Sequence, residues 1–261
     1  MKLSMNFSNF LKTAVIIVFS IAVLTSCEKD DLEKGGATFK FTASYLNSET
    51  SATGPLKSVS SVNNGELSNG VVIESFKVNI KEIELEFDDD HPLFATDSVA
   101  SDIELEGPFE IDLMLEGNAL VNVIAENVEL PAAAYKEIEF EFDTSENSIS
   151  EMFKKTILVK GTIDGTPFIF WQDDSFDVEI EFDYNVHLDE AKQAVIIVSF
   201  DIVSLFDPKK GGVDISHAKD YNGNGIIEIY PDDPDGNEDL ADKLMDRLED
   251  IIDAFEEIYD N

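Results

Sequence analysis

The segment from Asp220 to Tyr230 (DYNGNGIIEIY) places oxygen-bearing groups at the positions of a calcium loop. Acidic or amide side chains occupy alternate positions, Gly225 stands at the sixth, and a carboxylate returns at the ninth. This spacing matches the first half of an EF-hand-type loop, in which hard oxygen ligands surround Ca²⁺ and the glycine permits a sharp turn. The predicted ligands are Asp220, Asn222, Asn224, the Ile226 carbonyl and Glu228.

The second half of this loop departs from the EF-hand pattern. Pro231 occupies the twelfth position, where an EF-hand has a bidentate glutamate. A closing carboxylate therefore has to come from one of the acids that follow: Asp232, Asp233 or Asp235. No lysine lies between Asp220 and Asp242 to compete with a cation. The alternative interpretation is a plain Asn-Gly turn without a metal, which the same residues form readily.

A second reactive group is the thiol of Cys27, the only cysteine in the chain. Lys2 and Lys12 precede an apolar run, Thr13 to Ser26, which is typical of a secretory signal and too short to span a bilayer. The tetrapeptide Leu24-Thr25-Ser26-Cys27 resembles a bacterial lipoprotein box, which implies cleavage before Cys27 and a diacylglyceryl group on its sulfur. Residues 1–26 are thus predicted to be a signal peptide, and acyl chains on Cys27 would anchor the protein to a membrane.

The residues after Cys27 indicate where the anchored protein faces. Lys29-Asp30-Asp31 resembles the signal that follows the lipidated cysteine in surface-exposed lipoproteins of Bacteroidetes. We therefore expect the cell outer membrane, with the protein facing the exterior, and an anchor facing the periplasm is the alternative. Residues 27–36 are charged, lack periodicity and end in Gly-Gly, so they are interpreted as an acidic tether.

Catalytic chemistry has little support in the sequence. His91, His187 and His217 are scattered, with no spacing suited to zinc. Carboxylates are so abundant that a pair suited to glycoside hydrolysis carries no information. The protein is therefore predicted not to be an enzyme but to have a binding, adhesion or structural role towards an extracellular glycan or protein. The alternative is a carbohydrate-binding or glycan-hydrolysing component of a polysaccharide-uptake system, with Trp171 and some of the phenylalanines on a sugar-binding face.

The charge of the chain excludes one class of partner. The formal net charge is −37, and loss of residues 1–26 removes two lysines and no acid, which leaves −39. A nucleic-acid-binding surface requires clustered lysine and arginine, and the only arginine is Arg247. Nucleic acid is therefore excluded, and cations would relieve the repulsion between the acids.

Alternating apolar residues predict strands through much of residues 37–206. The clearest is 176–186, in which Phe176, Val178 and Ile180 alternate with acids. In 71–88 the apolar parity changes at Lys81-Glu82, which predicts a β-bulge. Asp164-Gly165 predicts a hairpin turn between strands in 156–171.

Three further segments bear on the sheet. Gly107-Pro108 interrupts apolar alternation and predicts an edge or a corner. Ala119 to Leu130 fits either a short helix or a strand. Ala194 to Phe206 is continuously apolar and is predicted to be a central strand.

Many strands without regularly alternating helices predict a mainly β fold, an antiparallel β-sandwich in one domain over 37–261. The end of the chain has a different period. Apolar residues repeat at three and four from Asn237 onward, which predicts a C-terminal amphipathic helix over 237–259 packed on the sandwich. Its apolar positions are Leu240, Leu244, Leu248, Ile251, Ile252 and Phe255.

The order of these segments resembles the bacterial lipoprotein family called domain of unknown function 4382. The resemblance covers about residues 37–230 and rests on a strand run, a Leu-Pro-Ala-x-x-Tyr stretch from Leu130 to Tyr135, a short hairpin and a strand containing Asp201. Ala134 stands where that family commonly has glycine. The resemblance implies a β-sandwich on a lipid anchor and no catalytic residues.

Overall fold

The computed structural model describes residues 34–44, 67, 69–88, 102–188 and 193–259. These residues belong to one compact unit, Leu32–Asn261. The predicted signal peptide, Cys27, Lys29-Asp30-Asp31 and His91 lie outside the described residues. Within the described ranges, no helix has the length and apolar character needed to cross a membrane.

The described residues form twelve strands and two α-helices. The strands are β1 (Lys34–Ser44), β2 (Val71–Phe87), β3 (Asp102–Leu115), β4 (Asn118–Ala119), β5 (Val121–Pro131), β6 (Ala134–Phe142), β7 (Ile157–Ile163), β8 (Thr166–Gln172), β9 (Phe176–His187), β10 (Gln193–Asp201), β11 (Ile227–Ile229) and β12 (Ile252–Tyr259). The helices are α1 (Ile202–Phe206) and α2 (Glu238–Leu248).

These strands build two sheets. The smaller has the order β12-β10-β1-β5, and the larger has the order β11-β8-β7-β2-β3-β4, with β6 paired to β2 and β9 paired to β6. The predicted mainly β fold is confirmed. The sandwich is not purely antiparallel, because β1 pairs in parallel with β10 and β11 pairs in parallel with β8. Both parallel pairs join strands far apart in sequence, where no hairpin imposes an antiparallel arrangement.

Aromatic side chains from both sheets fill the core. Phe41 of β1 meets Phe140 of β6 with ring centroids 5.5 Å apart, and Phe200 of β10 contacts Phe76 of β2 and Phe142 of β6. All five rings are fully buried. Rings of this size dominate core energetics, so the phenylalanines mainly hold the two sheets together.

β2 is the longest strand and the place where the larger sheet divides. Its first half, Val71–Val78, pairs with β7, and its second half, from Ile80, pairs with β6. The register shifts between Ile80 and Glu82, which confirms the predicted bulge at Lys81. Buried Asn79 stands at the fork, where its N–H donates to the Thr156 carbonyl and its Nδ2 donates to the Asp143 carbonyl.

Several local predictions are confirmed. Asp164 and Gly165, with φ of 48° and 82°, make the turn between β7 and β8. β10 lies between β12 and β1, as expected for a central strand, but the strand predicted over 194–206 is wrong after Asp201, because Ile202–Phe206 form α1 with the Asp201 side chain as its N-cap. Gly107-Pro108 lies in β3, and among the described residues the outer side of β3 pairs only with β4, near the end of the strand. The ambiguous segment 119–130 is strand rather than helix, since Ala119 ends β4 and residues 121–130 belong to β5.

The predicted tether extends too far. Residues 34–36, which include Gly35 and Gly36, already belong to β1 and pair with β5. The hydrogen bonds between paired strands use only backbone atoms. Glycines can therefore extend a strand where a partner strand lies beside them.

The predicted helix over 237–259 is wrong in its second half. Helix α2 ends at Leu248, a single 3₁₀ turn follows, and residues 252–259 form β12 on the open edge of β10. A helix continued through Asp253, Glu256 and Glu257 would place carboxylates where its dipole favours cations. The isoleucine, phenylalanine and tyrosine of this segment suit a strand, and an available sheet edge decides between the two.

Candidate calcium loop and acidic sheet face

The predicted calcium loop lies at the edge of the larger sheet. Ile227 and Ile229 of β11 are buried and pair beside Phe168 and Phe170 of β8. Side chains alternate along a strand, so Glu228 between them faces away from the core. The two buried isoleucines therefore fix the position of Glu228 at the edge of the sheet.

Asp220 organises the start of the loop. Its Oδ1 accepts the Gly223 N–H at 2.6 Å and the Asn224 N–H at 3.1 Å, and its Oδ2 accepts the Gly225 N–H at 2.8 Å. Gly223 and Gly225 have φ of 75° and 92°, which favours glycine at both positions. The predicted sharp turn at Gly225 is confirmed.

The asparagines and Glu228 converge on one another. Asn222 Oδ1 accepts the Asn224 N–H, and Asn224 Oδ1 accepts the Ile226 N–H. Their Nδ2 groups both donate to Glu228 Oε2, at 2.6 Å and 3.0 Å. The structure thus brings together Asn222, Asn224 and Glu228, and the exposed Ile226 lies beside them in the chain.

The candidates for the closing carboxylate differ in position. Asp235 is buried and accepts the N–H of Asn222 and of Glu228, both at 2.9 Å, so it clamps the two sides of the loop. Asp233 is buried, and its Oδ1 accepts the N–H of Asp235 and of Asn237. Its Oδ2 has no hydrogen-bond partner among the described residues. Asp232 is exposed with φ of 56°.

Three residues missed in the sequence hold the loop in place. Tyr230 donates its hydroxyl to Glu228 Oε1 at 2.7 Å, and its ring stacks on Trp171 with centroids 4.7 Å apart. Burial, followed by the hydrogen bond to Glu228, raises the pKa of Tyr230 to about 12. Asn237 Nδ2 donates to the Glu228 carbonyl and to the Lys219 carbonyl. The stack also occupies one face of Trp171, which the sequence had suggested for a sugar.

A second acidic site covers the outer face of the larger sheet. Directly paired residues share a face, and the register aligns acids across strands β3, β2, β6 and β9. The face is called the acidic face below and consists of Glu82, Glu84, Glu86, Glu104, Glu106, Glu137, Glu139, Glu141, Asp177, Glu179 and Glu181. Ile83, Leu85 and Phe140 point the other way into the core.

Lysines neutralise only some of the carboxylates that repel one another on the acidic face. Lys81 pairs with Glu141 at 2.6 Å and Lys136 pairs with Glu86 at 2.9 Å. Partial burial, and then neighbouring carboxylates, raise the pKa of Glu82, of Glu137 and of Glu139.

The centre of this face gathers carboxylates closely. Oxygens of Glu137, Glu139 and Glu179 lie within 4.8 Å of one another, which makes this trio the one acid, histidine or cysteine group in the described chain compact enough for a metal. The alternation of acids along each strand is visible in the sequence. Which acids lie side by side on neighbouring strands depends on the strand register, which the sequence does not show.

The histidines lie apart. His187 ends β9, and His217 is exposed in the segment before the loop, 3.9 Å from Asp214.

Comparisons with protein-family models, with curated proteins and with solved structures gave no match. The resemblance to domain of unknown function 4382 therefore stays a prediction from the sequence.

Proposed function

We propose that this protein is a lipid-anchored binding or structural protein of the bacterial cell envelope, with a Ca²⁺ site in the loop 220–235. The lipoprotein box at Cys27 supports the anchor. The observation that carries the calcium proposal is the convergence of Asn222 and Asn224 on Glu228 within a turn held by Asp220.

The oxygens of the loop fit a hard cation. A carboxylate has about four lone-pair sites, so Asp220 can accept backbone N–H groups and still bind a cation. The side-chain oxygens of Asn222 and Asn224 each accept one N–H and keep a second lone pair. Ca²⁺ in this loop would replace the two Nδ2 groups, which are neutral donors, as the partner of Glu228 Oε2. Asp235 accepts the N–H of Asn222 and of Glu228 and so holds the two sides of the loop together. Of the three candidate acids, Asp235 is therefore the best placed to serve as the closing ligand.

Thermal unfolding with and without calcium tests this proposal. Ligand binding to the folded state alone stabilises by about 2.7 kcal/mol at a hundredfold excess over the dissociation constant. Millimolar Ca²⁺ should therefore raise the Tm of the wild type but not that of Asp220→Ala. The control is Asp173→Ala, which removes the same charge from an exposed residue outside the loop and should keep the full shift.

Equal calcium shifts in all three proteins would assign the effect to general screening of the negative charge. Calorimetric titration of the wild type should show a discrete binding event, and its absence would refute the site.

A further inference from the structure

A cleft of about 400 Å³ opens where β2 divides between β6 and β7. The bulge of β2 forms one wall and Gly107-Pro108 of β3 forms another. A Cβ on Gly107 would lie 2.6 Å from the Lys81 carbonyl, so the close approach of these strands requires glycine. The lining residues are Asn79, Lys81, Glu82, Glu106, Gly107, Pro108, Asp143, Thr144 and Glu146.

Asn79 lines this cleft and carries an unsatisfied acceptor. It is 1% exposed, and its Nδ2 donates to the Asp143 carbonyl at 2.8 Å. Because only a donor can face that carbonyl, the orientation of the amide is fixed. Asn79 Oδ1 is then a buried oxygen with no hydrogen-bond partner among the described residues. Such a group favours any ligand that brings a hydrogen-bond donor.

The negative charge of the lining favours a hydrogen-bond donor that is positively charged. Four carboxylates, of Glu82, Glu106, Asp143 and Glu146, face a single cation, Lys81, whose ammonium group already contacts Glu141. Burial and the neighbours Glu104 and Glu141 raise the pKa of Glu82, so a cation placed here would relieve an existing repulsion.

The size of the cleft argues against a bare metal ion. A space of about 400 Å³ is instead within the range of small-molecule pockets. An organic ammonium group carries positive charge and N–H donors, which the side chains of the lining supply only through Lys81 and Asn79.

We propose that the cleft binds an ammonium group of a linear polyamine. The ammonium donates to Asn79 Oδ1 and to the surrounding carboxylates. The rest of the chain lies along the row Glu106, Glu82, Glu141 and Asp177, which begins in the cleft and crosses the acidic face. This site is separate from the calcium loop and does not depend on the proposed calcium binding.

The test is calorimetric titration of the full chain with spermidine at physiological ionic strength, where diffuse surface attraction is screened. Replacing Asn79 endangers the sheet fork, so the variant is Glu106→Gln, an exposed residue on the edge strand β3. The matched control is Glu181→Gln, also exposed and on the edge strand β9, at the far row of the acidic face. We expect Glu106→Gln to weaken binding about tenfold, the scale of one charge-assisted hydrogen bond, and Glu181→Gln to weaken it less than twofold.

Nuclear magnetic resonance gives an independent readout. The side-chain amide signal of Asn79 should shift on addition of spermidine and saturate with the calorimetric isotherm. Equal weakening in the two variants, an unmoved Asn79 signal, or no binding would overturn the proposal. A shift of Asn79 by CaCl₂ at lower concentration than by spermidine would make the cleft a metal site and would also overturn it.

Discussion

Asn237 links the candidate loop to the segments on either side of it. Its side chain donates to the carbonyls of Lys219 and Glu228, at 3.1 Å and 2.8 Å, and its N–H donates to Asp233. Its own carbonyl accepts the N–H of Leu240 in the first turn of α2. One buried amide therefore ties both sides of the loop to the start of a helix.

We expect Asn237→Ala to lower the free energy of unfolding by about 1–3 kcal/mol, since it removes a buried amide and leaves two part-buried carbonyls without their donor. Urea unfolding measures the change. Asn147→Ala is the control, because Asn147 is exposed and should change stability by less than about 0.5 kcal/mol. Equal effects would mean that the amide of Asn237 contributes nothing specific.

The local turn of this loop was predictable because it depends on spacing over a few residues. Asp220, Asn222, Asn224 and Glu228 occupy one turn, and that turn is local. The role of Asp235 was not predictable, because it depends on how the chain returns after Pro231 and Pro234. The stack of Tyr230 on Trp171 joins two distant segments and leaves no local pattern in the sequence.

Among the elements, patterns of adjacent residues predicted features of the sheet correctly but predicted the structure of the C-terminal segment only in part. The parity change at Lys81 and the Asp164-Gly165 turn are encoded by adjacent residues, and both are confirmed. The three-and-four repeat continues past Leu248, but α2 stops there. Whether residues 252–259 form helix or strand depends on the free edge of β10, which a local pattern does not contain.

Leu248 tests the packing of α2, since its side chain is fully buried. Leu248→Ala should cost about 2–5 kcal/mol in chemical denaturation, from lost transfer free energy and a residual cavity. Leu240→Ala, on a half-buried side chain of the same helix, should cost less. A cost below about 0.5 kcal/mol at Leu248 would contradict the docked helix.

The acidic face should make stability depend on pH. Partial burial and adjacent carboxylates raise the pKa of Glu139 above its ordinary value of 4.5 in the folded state. The folded protein therefore holds this proton more tightly than the unfolded chain, and stability falls as pH rises through the window above 4.5. Glu139→Gln should raise the free energy of unfolding at neutral pH.

Denaturation at several pH values measures this effect. The gain from Glu139→Gln should disappear as pH falls below 4.5, where the wild-type carboxyl is also neutral. Glu116→Gln, in an exposed turn outside the acidic face, serves as the control. A gain from Glu139→Gln that is the same at every pH would contradict repulsion as its cause.

At the scale of the whole molecule, the formal charge of −37 is not evenly distributed over the surface. Apolar side chains fill the space between the sheets, and strand register collects carboxylates on one outer face.

Cell fractionation tests the anchor. Cys27→Ala should leave the membrane fraction, because the acyl chains that hold the wild type need the sulfur. Ser26→Ala keeps a small residue before the cysteine and should remain in the membrane fraction. Protease added to whole cells should digest the wild type, and protection would place the protein on the periplasmic side.

The position of β1 has a consequence for when the protein can fold. β1 lies between β5 and β10, and Gly36 pairs with Gln193. The first strand of the smaller sheet therefore has no complete set of neighbours until most of the chain has been synthesised. Long-range pairing of this kind slows folding and leaves early segments open. We expect the growing chain to stay loose until its last third emerges, the condition in which an exported polypeptide is most easily threaded through a narrow channel.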